Sequence, residues 1–211
     1  MEHDMSPQPW RMTVYDLAPT SRYTVIPDGH VFVYATGGEV TIAGSNITVG
    51  DGAFAVEGDV IAGAHPAWIY EIVQGTAAAR HETALSLLLS RTVVLPEGSY
   101  MIRADRVESQ AGAETPAHRH RGPGIRRLAR GTLLAQVGDH IDRIEAGQAW
   151  FETGHETVVG RNTSSGANVF IRVMLLPSEL AGGKSSFIAA TSEDAAKPRA
   201  AKLRLFGEHA I

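Results

Sequence analysis

The chain has 211 residues, of which 44% are hydrophobic and 20% charged, a composition typical of globular proteins that excludes a disordered, collagen-like or coiled-coil chain. Its net charge of -4 argues against a general nucleic-acid or anionic-membrane surface. Because the chain has no cysteine, disulfides, thiolate metal sites and cysteine nucleophiles are excluded. We therefore expect its chemistry to depend on His, carboxylates or Arg.

No apolar run approaches the roughly 20 residues that cross a bilayer. The N-terminal residues also lack the basic and then apolar layout of a signal peptide. We therefore expect a cytoplasmic location, with neither a membrane nor a nucleic acid as partner.

Short runs rich in β-branched and aromatic residues predict strands along the whole chain. In chain order they are residues 31–34, 40–42, 47–49, 67–73, 86–89, 132–137 and 169–175. Residues 76–85 have the Ala content of a short helix, although they would also suit a connector. Many short strands at this spacing predict an all-β sandwich or barrel with few short helices.

Two stretches of the chain resemble each other. Residues 49–58 align without gaps on residues 145–154, which matches an Ala, an aromatic residue and a Gly in each. The offset of about 96 residues is the size of a small barrel rather than of a solenoid repeat. We therefore predict two barrels in tandem, over residues 1–90 and 91–180. Residues 181–211 are predicted to be a tail that packs on the barrels and adds a strand near 202–206.

The most specific segment runs from Gly112 through His118 and His120 to Gly131. Alternate side chains of a strand share a face, so both imidazoles point the same way. The spacing resembles the first motif of the cupin superfamily: Gly, five residues, His, one, His, three or four, Glu, six, Gly. Gly124 stands where that family has its metal-binding Glu.

The second cupin motif is matched at its ends, by Gly147 and Asn162. Val158 stands where the family has its third metal-binding His, and His155 lies three residues earlier. The resemblance implies two double-stranded β-helix barrels, that is, cupin jelly-rolls, in tandem.

For the second barrel the resemblance further implies one divalent metal ion (Fe, Mn, Ni or Zn), with His118, His120 and His155 as its ligands. The alternative stays open that His118 and His120 hydrogen-bond to ligand, to water or to each other without a metal. No metal is expected in the first barrel, because it has no pair of histidines at this spacing.

Arginine dominates the basic residues: it accounts for sixteen of the nineteen, and five lie between positions 119 and 130. Neither face of the strand that follows the turn at 122–124 is purely apolar, so either an Arg points into the barrel or the register shifts. An inward Arg126 or Arg130 beside His118 and His120 would form a site for a small carboxylate. Trp150 would supply an apolar wall.

Two functions are therefore open. In the first, the chain is a bicupin that binds a small anionic metabolite and performs isomerase, lyase or oxygenase chemistry, with Glu152 or Glu156 as acid or base. In the second, it is a non-catalytic bicupin that senses a ligand or has a structural role, without metal. A homodimer is expected in both cases, because open sheet edges need covering.

Overall fold

The computed structural model describes Pro7 and residues 9–211. These residues divide into two compact units, one up to Gly98 and the other from Ser99 to Ile211. The last strand of the first unit extends to Val94 and pairs with the first strand, whereas the sequence analysis divided the barrels at residue 90. No helix among the residues described has the length and hydropathy needed to span a membrane.

The first unit consists of two antiparallel sheets. Its strands are β1 (Pro9–Leu17), β2 (Arg22–Thr24), β3 (Gly29–Ala35), β4 (Val40–Ile42), β5 (Ser45–Ile47), β6 (Gly52–Ala55), β7 (Val60–Ala62), β8 (Ala67–Gln74) and β9 (Leu85–Val94). One sheet has the strand order β6-β3-β8-β1-β9 and the other has the order β2-β7-β4-β5.

The second unit also consists of two antiparallel sheets. Its strands are β10 (Tyr100–Ser109), β11 (His118–His120), β12 (Gly124–Arg130), β13 (Thr132–Val137), β14 (His140–Glu145), β15 (Ala149–Glu152), β16 (Val158–Asn162), β17 (Asn168–Pro177), β18 (Phe187–Ala189) and β19 (Ala201–Ala210). The sheets have the orders β15-β12-β17-β10-β19 and β14-β13-β16-β11-β18. A 3-10 turn (Ser178–Leu180) and a short helix, α1 (Ser192–Ala196), lie in the tail.

The five-stranded sheet of the first unit has the same layout as the first sheet of the second unit. β6 and β15, which carry the two similar sequence stretches, each lie at one edge, next to β3 and β12 respectively. The expected all-β fold with few helical residues is therefore confirmed for the part of the chain that is described.

The C-terminal tail belongs to both sheets of the second unit. β18 pairs with β11, and β19 pairs with β10, so that the strand expected near 202–206 lies within β19. Glu208 on β19 accepts hydrogen bonds from the backbone N–H groups of Gly182 and Gly183 and from Arg103. These bonds fix the start of the tail against its last strand.

Residues 76–84 are a connector and Leu85 begins β9, so of the two interpretations open for residues 76–85 the structure has the connector and not the helix. The carbonyl of Ala78 accepts a hydrogen bond from Arg11, and the backbone N–H of Arg80 donates to the Tyr15 hydroxyl. These backbone groups bind side chains of β1 and are not used in helical hydrogen bonds. Tertiary contacts thus override the helix propensity of the alanines.

The interior of the first unit contains a buried polar cluster around Glu71. Glu71 on β8 is fully buried and accepts hydrogen bonds from Arg11 Nη2 at 2.8 Å and from the Tyr23 hydroxyl at 2.7 Å. Apolar side chains of β3, β4, β7 and β8 pack around this cluster, together with Tyr15 and Tyr23. A buried charge is tolerated there because it is paired and hydrogen-bonded.

Candidate ligand-binding site

The second unit contains a cavity of about 280 Å³ between its two sheets. Inward-facing residues of both sheets line it, because alternate residues of each strand point to the same face. Its polar lining includes Arg103, Asp105, Ser109, Thr115, His118, His120, Arg126, Glu152, Arg172, Ser185, Ser186 and Arg199. Its apolar lining includes Leu133, Trp150, Val158, Phe170 and Phe187.

The two histidines of β11 point into the cavity, with their ring centroids 4.8 Å apart. His118 Nδ1 lies 2.8 Å from the carbonyl oxygen of Pro116. Since a carbonyl can only accept, Nδ1 carries the hydrogen and Nε2 keeps a free lone pair in the neutral ring. Burial lowers the pKa of His118, and burial together with the nearby Arg126 charge lowers the pKa of His120 further. Both rings are therefore neutral at pH 7.

Arg126 and Glu152 form a buried ion pair on neighbouring strands. Arg126 Nη2 lies 2.6 Å from Glu152 Oε2, and Trp150 Nε1 donates to Glu152 Oε1 at 2.9 Å. The Nη2 and Oε2 atoms are not aligned for a hydrogen bond and have no other hydrogen-bond partner within the described structure. Burial lowers the pKa of Arg126 to about 10, so the guanidinium stays protonated at neutral pH. Both atoms keep hydrogen-bonding capacity that a ligand can use.

Two further arginines that line the cavity are paired with carboxylates. Arg172 Nε and Nη2 donate to the two carboxylate oxygens of Asp105 at 2.9 and 2.8 Å. Arg103 Nη2 lies 2.7 Å from Glu208 Oε1. No motif in the sequence points to these residues. A charged residue within an otherwise apolar strand could have indicated such a residue in the sequence, as Arg172 does in β17.

The structure brings together four of the six sequence-predicted site residues: His118, His120, Arg126 and Trp150 all line the cavity. It places the other two, Arg130 and His155, outside it and exposed to solvent.

Local backbone geometry explains both positions. A β-bulge between Leu128 and Arg130 shifts the register of β12, so strict alternation from Arg126 does not continue to Arg130. His155 lies in the loop between β15 and β16, where its backbone N–H bonds to the Thr153 hydroxyl. Glu156 also bonds to Thr153 and does not line the cavity, whereas Glu152 does.

Asn162, the last residue of the second motif, has a structural role. Its Nδ2 group donates to the carbonyl oxygens of Ser109, Gln110 and Gly166, and its Oδ1 atom accepts from the backbone of Ser164. The side chain is buried and satisfies backbone groups of two segments at once, residues 109–110 and 164–166. This residue therefore fixes the loops at one end of the barrel.

The side chains in the cavity do not fit the metal centre that the cupin resemblance implies. A Cβ atom added at Gly124 would lie 2.9 Å from Arg126 Nη1 and 2.7 Å from the carbonyl oxygen of Val173, so no ligating side chain has room there. Val158 pairs with His118 across the strands and offers no donor. Within residues 9–211, no three His, Cys, Asp or Glu side chains are grouped so that they could hold a metal ion.

Solved structures that resemble the chain have the cupin fold. AerE from Microcystis aeruginosa is 14% identical, with a TM-score of 0.55, over 82% of this chain and 95% of that one. Salicylate 1,2-dioxygenase from Pseudaminobacter salicylatoxidans is 11% identical, with a TM-score of 0.51, over 97% and 78%. Oxalate decarboxylase from Bacillus subtilis, a protein with Mn(II) centres, is 12% identical, with a TM-score of 0.53, over 92% and 74%.

No protein-family model matches the sequence, and no curated protein matches it. At identities of 11 to 14%, the structural similarities establish the fold and not an activity. The chain therefore has the all-β cupin jelly-roll fold.

Proposed function

We propose that the chain is a bicupin whose second barrel binds a small anionic molecule directly, without a metal ion. The observation that carries this proposal is the charge of the cavity lining, which has four arginines against two carboxylates. Adding Glu208, the partner of Arg103, still leaves one positive charge in excess. A cavity with a positive lining concentrates anions, and a volume of about 280 Å³ suits a small metabolite.

The bicupin assignment is supported by the repeat within the chain. The strand order of one sheet in the first unit corresponds to that of one sheet in the second, and the similar sequence stretches lie on corresponding edge strands. The first barrel carries no comparable proposal, because Glu71 there is already bonded to Arg11, Tyr15 and Tyr23. Homodimerisation stays a prediction, which light scattering during size-exclusion chromatography would test.

A second candidate function is proton transfer, as in an isomerase or a lyase. It is favoured by His118, whose Nδ1–H bond to Pro116 leaves Nε2 as a base that faces the cavity. In such a reaction His118 Nε2 would take a proton from the bound molecule. The histidine would then be fixed in position by the Pro116 carbonyl and by the ring of Phe187, which stacks on it at 4.4 Å.

Isothermal titration calorimetry with a panel of small anions tests the proposal. The probes are formate, acetate, lactate, succinate, glutarate and inorganic phosphate, each titrated with and without EDTA. We expect at least one carboxylate to bind at one site per chain with an affinity that EDTA does not change. The proposal is overturned if none of these anions binds, or if binding appears only after a divalent metal is added.

A further inference from the structure

Arg199 in the C-terminal tail differs from the other arginines of the cavity. Arg103, Arg126 and Arg172 each have a carboxylate within 2.8 Å. The guanidinium of Arg199 has no carboxylate within salt-bridge distance among the described residues; its Nη1 donates to the Ser185 hydroxyl at 3.1 Å. The excess positive charge of the lining therefore lies at Arg199, which is exposed at the open end of the cavity.

Packing fixes the position of Arg199. Its guanidinium lies over the ring of Phe187, 4.1 Å from the ring centroid. Phe187 in turn stacks on His118, with ring centroids 4.4 Å apart and an interplanar angle of 15°. The three side chains form a layered stack from the solvent end of the cavity to its interior. An ordered guanidinium loses less conformational entropy when it binds an anion.

The buried end of the cavity has a different character. The charges of Arg126 and Glu152 balance each other, and so do those of Arg172 and Asp105. A carboxylate placed there would add a negative charge without a counter-ion of its own, which is costly in a buried site. Arg126 Nη2 and Glu152 Oε2 nevertheless lack hydrogen-bond partners among the described groups. A neutral group that both accepts and donates would satisfy them.

We infer that Arg199 binds the anionic group of the ligand, while the opposite, neutral end of the ligand accepts a hydrogen bond from Arg126 and donates one to Glu152. This inference rests on the proposed function and narrows the ligand to a small monocarboxylate whose other end is a carboxamide or a hydroxyl. It also assigns the tail a role in ligand binding, in addition to completing the two sheets.

Calorimetric titration with matched probes tests this orientation. At four, five and six carbons, each length is represented by a carboxylate with a terminal carboxamide (succinamate, glutaramate, adipamate), the dicarboxylate, and the simple monocarboxylate. We expect the carboxamide-bearing acid of the best-fitting length to bind at least about fivefold more tightly than the other two probes, because only it offers Arg126 Nη2 an acceptor and Glu152 Oε2 a donor without adding charge.

Variants at Arg199 test its role separately. R199Q should weaken binding of the preferred carboxylate about fivefold and reduce its dependence on salt, whereas R199K should retain part of the affinity. The matched control is R204Q on β19, which begins two residues after Arg199, because Arg204 also lies over an aromatic ring, that of Phe206, but does not line the cavity. Thermal unfolding of each variant confirms that the fold is retained.

The outcomes separate the two proposals. If carboxylates bind the wild type and R199Q has no more effect than R204Q, Arg199 does not hold the anion, while the proposed function stands. If the dicarboxylate binds more tightly than its carboxamide analogue, the neutral end is wrongly assigned. If no carboxylate binds the wild type at any length, the proposed function itself fails.

Discussion

Arg126 Nη2 lies 2.6 Å from Glu152 Oε2 inside the second barrel, and both side chains are almost completely buried. Arg126 Nη1 also lies 2.9 Å from the point where a Cβ atom of Gly124 would be. The guanidinium thus fills space beside the position at which the cupin resemblance expects a metal-binding carboxylate. At this position the positive charge is therefore that of the Arg126 side chain, where the cupin resemblance implies a metal ion.

Breaking this ion pair from one side should destabilise the second unit. R126Q leaves the Glu152 carboxylate buried without a counter-charge and should lower the free energy of unfolding by about 3 kcal/mol. The double variant R126Q/E152Q removes both charges and should lose less than R126Q alone. Denaturant unfolding of the single and double variants measures the coupling.

The control for this prediction is R143Q, since Arg143 forms an exposed pair with Glu145 at 3.4 Å. We expect R143Q to lower the free energy of unfolding by less than about 1 kcal/mol, as for most surface ion pairs. An R126Q loss as small as that of R143Q would show that the buried pair does not stabilise the fold.

Metal analysis tests whether the protein binds a metal ion, as the cupin resemblance implies, or binds none, as the lining of the cavity indicates. Because Val158 and Gly124 provide no donors beside His118 and His120, protein purified without an affinity tag should contain no stoichiometric divalent metal. Mass spectrometric elemental analysis of the wild type and of H118A/H120A measures this directly. Near-stoichiometric metal in the wild type that disappears from the double variant would contradict the prediction.

Stability should fall on mild acidification because of the buried histidines. Burial lowers the pKa of both His118 and His120 in the folded chain. As the pH falls below the unfolded value of about 6.5, the unfolded chain takes up protons that the folded chain does not, so the stability present at pH 7 to 8 is progressively lost.

Thermal unfolding between pH 8 and pH 5 measures this loss. The expected result is a melting temperature that decreases below about pH 6.5 in the wild type and decreases less in H118Q/H120Q. H140Q is the matched control, because His140 is exposed on β14. Equal pH dependence in the wild type and H118Q/H120Q would show that these two rings do not titrate as inferred.

The polar cluster of the first unit should also be essential for stability. E71Q removes the charge that faces Arg11 and should lower the free energy of unfolding by about 3 kcal/mol. Y23F removes one buried hydrogen bond and should lower it by about 1 to 2 kcal/mol. E39Q serves as the control, because Glu39 is exposed in the same unit and accepts a hydrogen bond from Asn46 outside the cluster. Denaturant titration would contradict the prediction if E71Q and E39Q behaved alike.

Local sequence patterns determined the class of fold and part of the site. β4 and β13 have the same bounds as the runs at 40–42 and 132–137, because short β-rich segments bounded by turn residues specify strands locally. His118 and His120 share the inner face of β11 because alternation along a single strand is sufficient to place them.

Only the tertiary structure decided which arginines and carboxylates meet. Arg126 is inside and Arg130 outside because of a bulge that alternation does not reveal. The partners of Arg126, Arg172 and Arg199 lie on other strands or in the tail, and the connector at 76–84 is held by side chains of β1. A strand's sequence specifies its own faces, whereas contacts between strands depend on register and packing, which arise only when the sheets assemble.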